Sequence, residues 1–207
     1  MSRELHCLQD LLHRRGDLAC NIALVVSNHP AAQPLAAAHG IAFYEIPLQR
    51  DNKAESENTQ IELLRRYRID LVVLARYMQI LSCKFVDCFR QRIINVHHSL
   101  LPAFCGAQPY RRAFERGVRY IGATSHYVTE TLDEGPIIDQ EAMRIPYRAR
   151  LEDFPALGRE LEKAALFRAV RWHLDHRILV HGNRTIVFDQ NEGEPSPEYV
   201  EPLRGFA

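Results

Sequence analysis

The chain is predicted to be an α/β protein, a mostly parallel sheet with helices on both faces. Three observations predict it. Short apolar runs such as Ala19–Val26, Asp70–Ala75 and Ile93–Val96 are continuous rather than alternating, as strands covered on both faces are. Between them lie segments whose apolar residues recur three and four apart, the helical spacing. The two kinds of segment alternate along the chain, the order expected of crossover units.

Glu4–Arg15 carries Leu5, Leu8, Leu11 and Leu12 on one stripe and stops near Gly16, so it is a helix. Ala19–Val26 is the first strand. Asn28-His29-Pro30 is a turn, and Ala31–His39 a short helix stopped by Gly40. Ile41–Ile46 is a strand closed by Pro47. Lys53–Tyr67 is polar but periodic through Ile61, Leu64 and Tyr67, again a helix, and Asp70–Ala75 is the next strand. Lys84–Cys88 forms a short helix before the Ile93–Val96 strand. Pro109–Arg116 is a helix with proline in its first turn. Arg119–Val128 and Ile137–Ile145 read as later strands. Phe154–His176 is the longest helical pattern, through Leu157, Leu161, Ala164, Ala165, Phe167, Ala169 and Val170. Ile178–Val180 and Thr185–Phe188 flank His181-Gly182-Asn183, a hairpin signal. From Asn191 onward Pro, Glu and Gly dominate, which predicts a loosely packed tail. With no repeat, low-complexity block or linker, residues 1–190 are expected to form one domain and 191–207 its tail.

Composition narrows the function. Of 207 residues 46% are apolar and 25% charged, ordinary for a globular protein. Basic and acidic residues number 26 each, so no global field favours nucleic acid or an anionic membrane. The longest apolar runs are too short to span a bilayer, and the N-terminus has no apolar secretory core. Cys7, Cys20, Cys83, Cys88 and Cys105 are odd in number and lack zinc spacing, which fits a reducing cytoplasm. The sequence leaves a homo-oligomer open.

Chemistry concentrates in Asn95-Val96-His97-His98-Ser99-Leu100-Leu101-Pro102 and in Leu132-Asp133-Glu134-Gly135-Pro136. Asn95 and His97 are two apart, so on a strand their side chains point the same way. A carboxamide and an imidazole then converge at a strand's carboxyl end, where open α/β sheets put their ligands. Asp133, in a loop ended by Gly135 and Pro136, supplies a carboxylate. Acyl transfer needs such groups: a donor for the developing oxyanion, a base, and an acid to orient it. Each alone has a plainer reading, Asn95 and Asp133 as turn residues and His126 as a core histidine. Adjacent residues of a strand face opposite ways, so His97 and His98 are not read as a metal pair, and no metal is expected. Nothing near Cys105 forms a Cys–His dyad, and its thiol is read as incidental.

Together these residues resemble the formyltransferase family of folate enzymes, over about residues 2 to 188. The resemblance rests on the Asn-x-His segment, the Leu-Asp-x-Gly-Pro segment and Ala75-Arg76-Tyr77-Met78-Gln79-Ile80-Leu81-Ser82. Within the family the chain is most similar to the deformylase branch. His97-His98, the run Leu101–Tyr110 and Gly122-Ala123-Thr124-Ser125-His126-Tyr127-Val128 carry that likeness. The resemblance implies a Rossmann-like fold and hydrolysis of 10-formyltetrahydrofolate to formate and tetrahydrofolate, supplying formate for purine synthesis. It implies Asn95, His97 and Asp133 as catalytic residues. It implies backbone around Gln79, Leu81 and Glu130 as pterin partners, with Met78, Ile80 and Val86 as apolar lining. His98 is read as closing the acceptor channel, and His126 as a support for Asp133 or simply as a core residue. The folate is substrate, and no metal or nicotinamide cofactor is implied.

Family members begin with a strand, central in the sheet, that ends where Ser2-Arg3 stands here. The deformylases carry a small ACT-type regulatory domain before it. The expectation is therefore a catalytic domain truncated at its N-terminus. The neighbours of the first strand, Ile22–Val26 and Asp70–Ala75 or Ile93–Val96, would keep unpaired edges, and stability would be marginal. Two rival readings stand beside hydrolysis. One is formyl transfer to glycinamide ribonucleotide, disfavoured because Ser2-Arg3-Glu4-Leu5-His6 has no phosphate-cradling glycine. The other is an inactive folate-binding remnant. A dinucleotide site is disfavoured because no Gly-x-Gly-x-x-Gly follows a predicted strand.

Overall fold

The computed structural model describes residues 4–47, 52–77, 79–106 and 108–188. Helix α1 is His6–His13, followed by strand β1 at Leu24–Ser27, helix α2 at Gln33–Ala38 and strand β2 at Ala42–Glu45. Helix α3 (Lys53–Arg66), strand β3 (Val72–Leu74), helix α4 (Cys83–Cys88) and strand β4 (Ile93–His97) come next. Helix α5 (Pro109–Arg116) leads to strands β5 (Tyr120–Tyr127) and β6 (Ile137–Arg144). The long helix α6 (Phe154–Leu174) and the hairpin β7 (Ile178–His181) and β8 (Arg184–Val187) complete the described chain. The expected C-terminal tail lies outside the described residues.

The strands alternate with helices as the sequence predicts, but direction changes along the sheet. β1 pairs with β2 and β3 with β4 in parallel, whereas β4–β5 and β5–β6 are antiparallel. The sheet is also in two pieces, β1–β2 and β3–β4–β5–β6. Of the expected gap neighbours it is β3, not β4, that faces β1, because β4 already pairs with β3 and β5. The first strand is shorter than its apolar run, since Ala19–Ala23 is not strand.

Period-two alternation divides the core between two helical layers. Val72, Leu74 and Ile93 face α3 and α4 in one cluster, with Ile61, Leu64, Phe85 and Val86. Val73, Ile94 and Val96 face the other cluster, built largely from α1 and α6. Each fully buried Leu, Ile, Val or Phe contributes about 1.5–3 kcal/mol, so Phe154, Leu166, Phe167 and Val170 make α6 the main cover of this face. Arg168 on α6 bridges Asp139 and Glu141, which are two apart on β6 and so share a face. No helix among the described residues is long and apolar enough to cross a membrane.

The loop from β5 to β6 turns tightly at Gly135. A Cβ there would stand 1.8 Å from the Tyr127 carbonyl oxygen, whereas one at Gly16 would meet nothing within 4 Å. Gly135→Ala is expected to lower unfolding free energy by about 1–3 kcal/mol, the usual cost of overpacking. Gly16→Ala should lose much less, and urea titrations of both variants against the parent chain check the contrast.

Candidate active site

Asn95 and His97 have the same parity as Ile93 on β4 and so project on one side of it, at its carboxyl end. β5 lies antiparallel beside them in a fixed register, Asn95 opposite His126 and His97 opposite Thr124. Directly opposed residues are in side-chain reach, and Asn95 Nδ2 donates to His126 Nε2 at 3.2 Å. His126 Nδ1 donates to the Tyr127 carbonyl at 2.9 Å, which leaves Nε2 as the acceptor. On its other side, the pairing of β5 with β6 shifts register between Ser125 and His126.

β5 then runs into the loop carrying Asp133, whose backbone is left-handed at φ 57°. Its side chain is 5% exposed, with Oδ2 3.3 Å from His97 Nδ1 and Oδ1 3.8 Å from His126 Nε2. The Gly106 N–H donates to Oδ2 at 3.3 Å. His97 Nε2 donates to the Phe104 carbonyl at 3.4 Å. Thus Asn95, His97 and Asp133 meet although Asp133 lies 38 positions after Asn95 in sequence.

His126 supports Asn95 directly and borders Asp133 at longer range, a role that needs the β4–β5 register to be seen. His98 follows the last residue of β4, so strand alternation does not carry it away from His97. Their ring centroids are 5.3 Å apart, and His98 also meets Tyr110 edge-on at 5.2 Å. Burial, helped by the Arg76 cation, depresses the His98 pKa to about 4. Burial likewise lowers that of His126, against the opposing pull of the Tyr127 carbonyl and Asp133.

Of the expected pterin partners, Gln79, Ile80 and Glu130 are exposed, Ile80 to 53%. Leu81 and Val86 are buried beside Phe85 in the α3–α4 cluster. Met78 lies outside the described residues.

Sequence reading missed the backbone groups of Phe104 and Gly106, and a buried network behind His98. Glu162 on α6 is 1% exposed. It accepts from Tyr110 Oη at 2.9 Å and Arg76 Nη1 at 3.3 Å, and its other oxygen is 2.9 Å from His6 Nε2. Burial pushes its pKa up, but the His6 hydrogen bond and the Arg76 cation outweigh that and hold it below the ordinary carboxylate range. The signal was a charge beside Leu161 on the stripe of α6 that also buries Ala165 and Leu166. His6, Cys7 and Glu162 are the residues that bring potential metal donors together among those described. Arg76 already neutralises Glu162 there, and burial raises the Cys7 thiol pKa, so the donor set does not suit a cation.

A family model described as formyl transferase matches residues 1–170, and the chain belongs to that family. Among its relatives, a formyltetrahydrofolate deformylase of Bacillus subtilis (strain 168) is 52% identical over 191 residues, 91% of this chain and 64% of that protein. One from Synechocystis sp. is 53% identical over 190 residues, 91% of this chain and 66% of that protein. The crystal structure of a formyltetrahydrofolate deformylase from Pseudomonas syringae pv. tomato matches with TM-score 0.88 at 46% identity, covering 90% of this chain and 63% of that one. Glycinamide ribonucleotide transformylase 1 from Symbiobacterium toebii matches with TM-score 0.83 at 31% identity, over 89% of each chain. The chain therefore spans less than two thirds of the length of the first three of these relatives.

The depressed pKa of His98 makes stability pH-dependent. An unfolded histidine protonates near ~6.5 whereas His98 resists until about 4, so its contribution is full above ~6.5 and lost as pH falls towards 4. The loss from this residue should approach about 3 kcal/mol. Urea titrations at neutral and acid pH should show a smaller acid loss for His98→Asn than for the parent chain. An equal loss would place the acid sensitivity elsewhere.

Proposed function

We propose that the chain hydrolyses 10-formyltetrahydrofolate to formate and tetrahydrofolate, with Asn95, His97 and Asp133 as the catalytic residues. The observation that carries this is the convergence of carboxamide, imidazole and carboxylate at the carboxyl end of β4, in a chain 52% identical to a named deformylase. The formyl group on the folate nitrogen is an amide. Water attacks its carbon, a C–O bond forms, and the carbonyl oxygen takes the negative charge. Asn95 uses one N–H on His126 and has a second for that oxygen, a kind of contact worth about 2.7–4 kcal/mol in comparable sites. His97 and Asp133, 3.3 Å apart, share the proton work. One proton leaves water, and one is returned to the folate nitrogen as the C–N bond breaks. Formic acid departs and ionises.

Met78, Gln79, Ile80, Leu81, Val86, His98 and Glu130 are proposed as the substrate surface. His98, neutral and wedged between His97 and Tyr110, suits a site that admits water but no second organic substrate. The formate would feed purine synthesis. Five free thiols suit a reducing cytoplasm as the place of action.

Asn95→Ala, His97→Ala and Asp133→Asn should each remove most formate release, about 100-fold or more, while folate binding changes little. Steady-state assays paired with equilibrium binding separate the two effects. A variant that kept parental turnover would remove its residue from the proposed machinery.

A second reading has its own support, since the transformylase likeness covers 89% of both chains. Added glycinamide ribonucleotide is expected neither to be formylated nor to speed loss of the formyl donor. A formylated nucleotide detected by mass spectrometry would move the chain to that reading.

A further inference from the structure

We propose that Glu57, on α3, is a positioning residue for the folate: it holds the backbone of Ser82 and so sets where the main chain of Gln79–Leu81 meets the pterin. The inference rests on the proposed folate surface and adds to it a residue from another element. Residues 79–82, between β3 and α4, are neither helix nor strand. Gln79 and Ile80 are exposed, and Leu81 is buried. Before them, Arg76 is fixed by its hydrogen bond to Glu162. After them, the Ser82 N–H donates to Glu57 Oε1 at 3.1 Å. Ser82 directly follows Leu81, and its hydroxyl caps α4 by accepting from the Phe85 N–H at 3.3 Å. One residue thus ties the exposed stretch to two helices.

Glu57 is 3% exposed. Lys53, one turn earlier on α3, approaches it only to 3.9 Å and is itself 40% exposed. A carboxylate so buried is costly unless hydrogen-bonded, and the Ser82 N–H is the donor it meets among the described residues. Tyr77, which leads into the exposed stretch, packs against the α3–α4 cluster. Burial, helped by the Glu57 charge, raises the Tyr77 pKa to about 12, so the carboxylate faces both sides of the stretch. Recognition by main-chain groups makes the path of the backbone the determinant of affinity. No ladder or helical hydrogen bond fixes that path at residues 79–81, so its two ends must. Holding a loop in its binding conformation strengthens binding by lowering the cost of ordering it. The plainer reading is a cap for α4 alone, which would affect stability and leave folate affinity unchanged.

The test titrates tetrahydrofolate, which carries the pterin and is not turned over, into the purified parent chain and four variants. Glu57→Ala should raise Kd about ten-fold. Glu57→Gln keeps an acceptor oxygen at the same reach and should stay within about two-fold of the parent. Glu57→Asp keeps the charge but withdraws the acceptor by one methylene, and should weaken binding about five-fold. These last two are read even where Glu57→Ala does not fold. Asn58→Ala removes another tie between the same helices, the hydrogen bond from Lys84, and should leave Kd unchanged. For formate release, KM should rise with Kd while kcat stays within about two-fold of the parent. Parental affinity in Glu57→Asp overturns the proposal, as does a loss in Glu57→Gln equal to that in Glu57→Ala. So does a loss in Asn58→Ala equal to that in Glu57→Ala, or a fall in kcat at unchanged Kd. A parent chain that binds no tetrahydrofolate overturns the folate reading and this inference with it. A parent that binds, with Glu57 variants that bind equally well, overturns this inference alone.

Discussion

The antiparallel ladder between β4 and β5 is the constraint on which the site depends. It sets Asn95 opposite His126 and His97 opposite Thr124. It also delivers the chain leaving β5 to the place where Asp133 meets His97. Thr124, with no exposed surface, ties the same ladder to the next loop. Its hydroxyl donates to the Ser99 carbonyl at 2.7 Å and accepts from the Leu101 N–H at 3.0 Å. The loop so anchored carries Phe104 and Gly106, whose backbone contacts His97 and Asp133. Because strand side chains alternate with period two, a slip of one residue would turn Asn95 and His97 away from their partners together.

Charge around the site is arranged by burial as much as by pairing. His98 and His126 flank His97 and Asp133, and burial keeps both in the neutral form near pH 7. Positive charge therefore does not accumulate beside His97. Behind His98 the situation is reversed. Glu162 remains ionised in the interior because His6, Arg76 and Tyr110 all converge on it. An unpaired buried carboxylate would be costly, so these partners are what allow a charge on that part of α6. The network also holds the Tyr110 ring against which His98 packs.

Much of this was legible in the sequence, in the places where periodicity decides. Helix α5 has the bounds that its proline and following glycine predict, and the hairpin turns at Gly182-Asn183. The shared direction of Asn95 and His97 follows from their spacing alone. Strand direction was missed, although Ile137–Ile145, with Asp139, Gln140, Glu141 and Arg144 among its apolar residues, differs from the continuous runs of strands covered on both faces. The length of β1 was not legible. Ala19–Ala23 is as apolar as a strand, but pairing decides which residues become one, and β1 pairs only from Leu24. The link between Asn95 and His126 is a fact of register between residues 31 apart. Glu162 left a trace, a charge on an apolar stripe, but its partners lie on two helices and a loop far apart in sequence, and no local pattern names them.

The left-handed backbone at Asp133 also bears on how this position can change over time. Side chains other than glycine pay about 1–2 kcal/mol to enter that region, with Asn and Asp the common exceptions. Residues tolerated there by the main chain are thus few, and among them aspartate alone carries a negative charge. Drift at position 133 would run most easily to asparagine, which keeps the loop's shape while removing its charge. A descendant of this chain could lose the proposed chemistry in that single step and still fold, so an intact loop in a relative would be no guarantee of an intact charge.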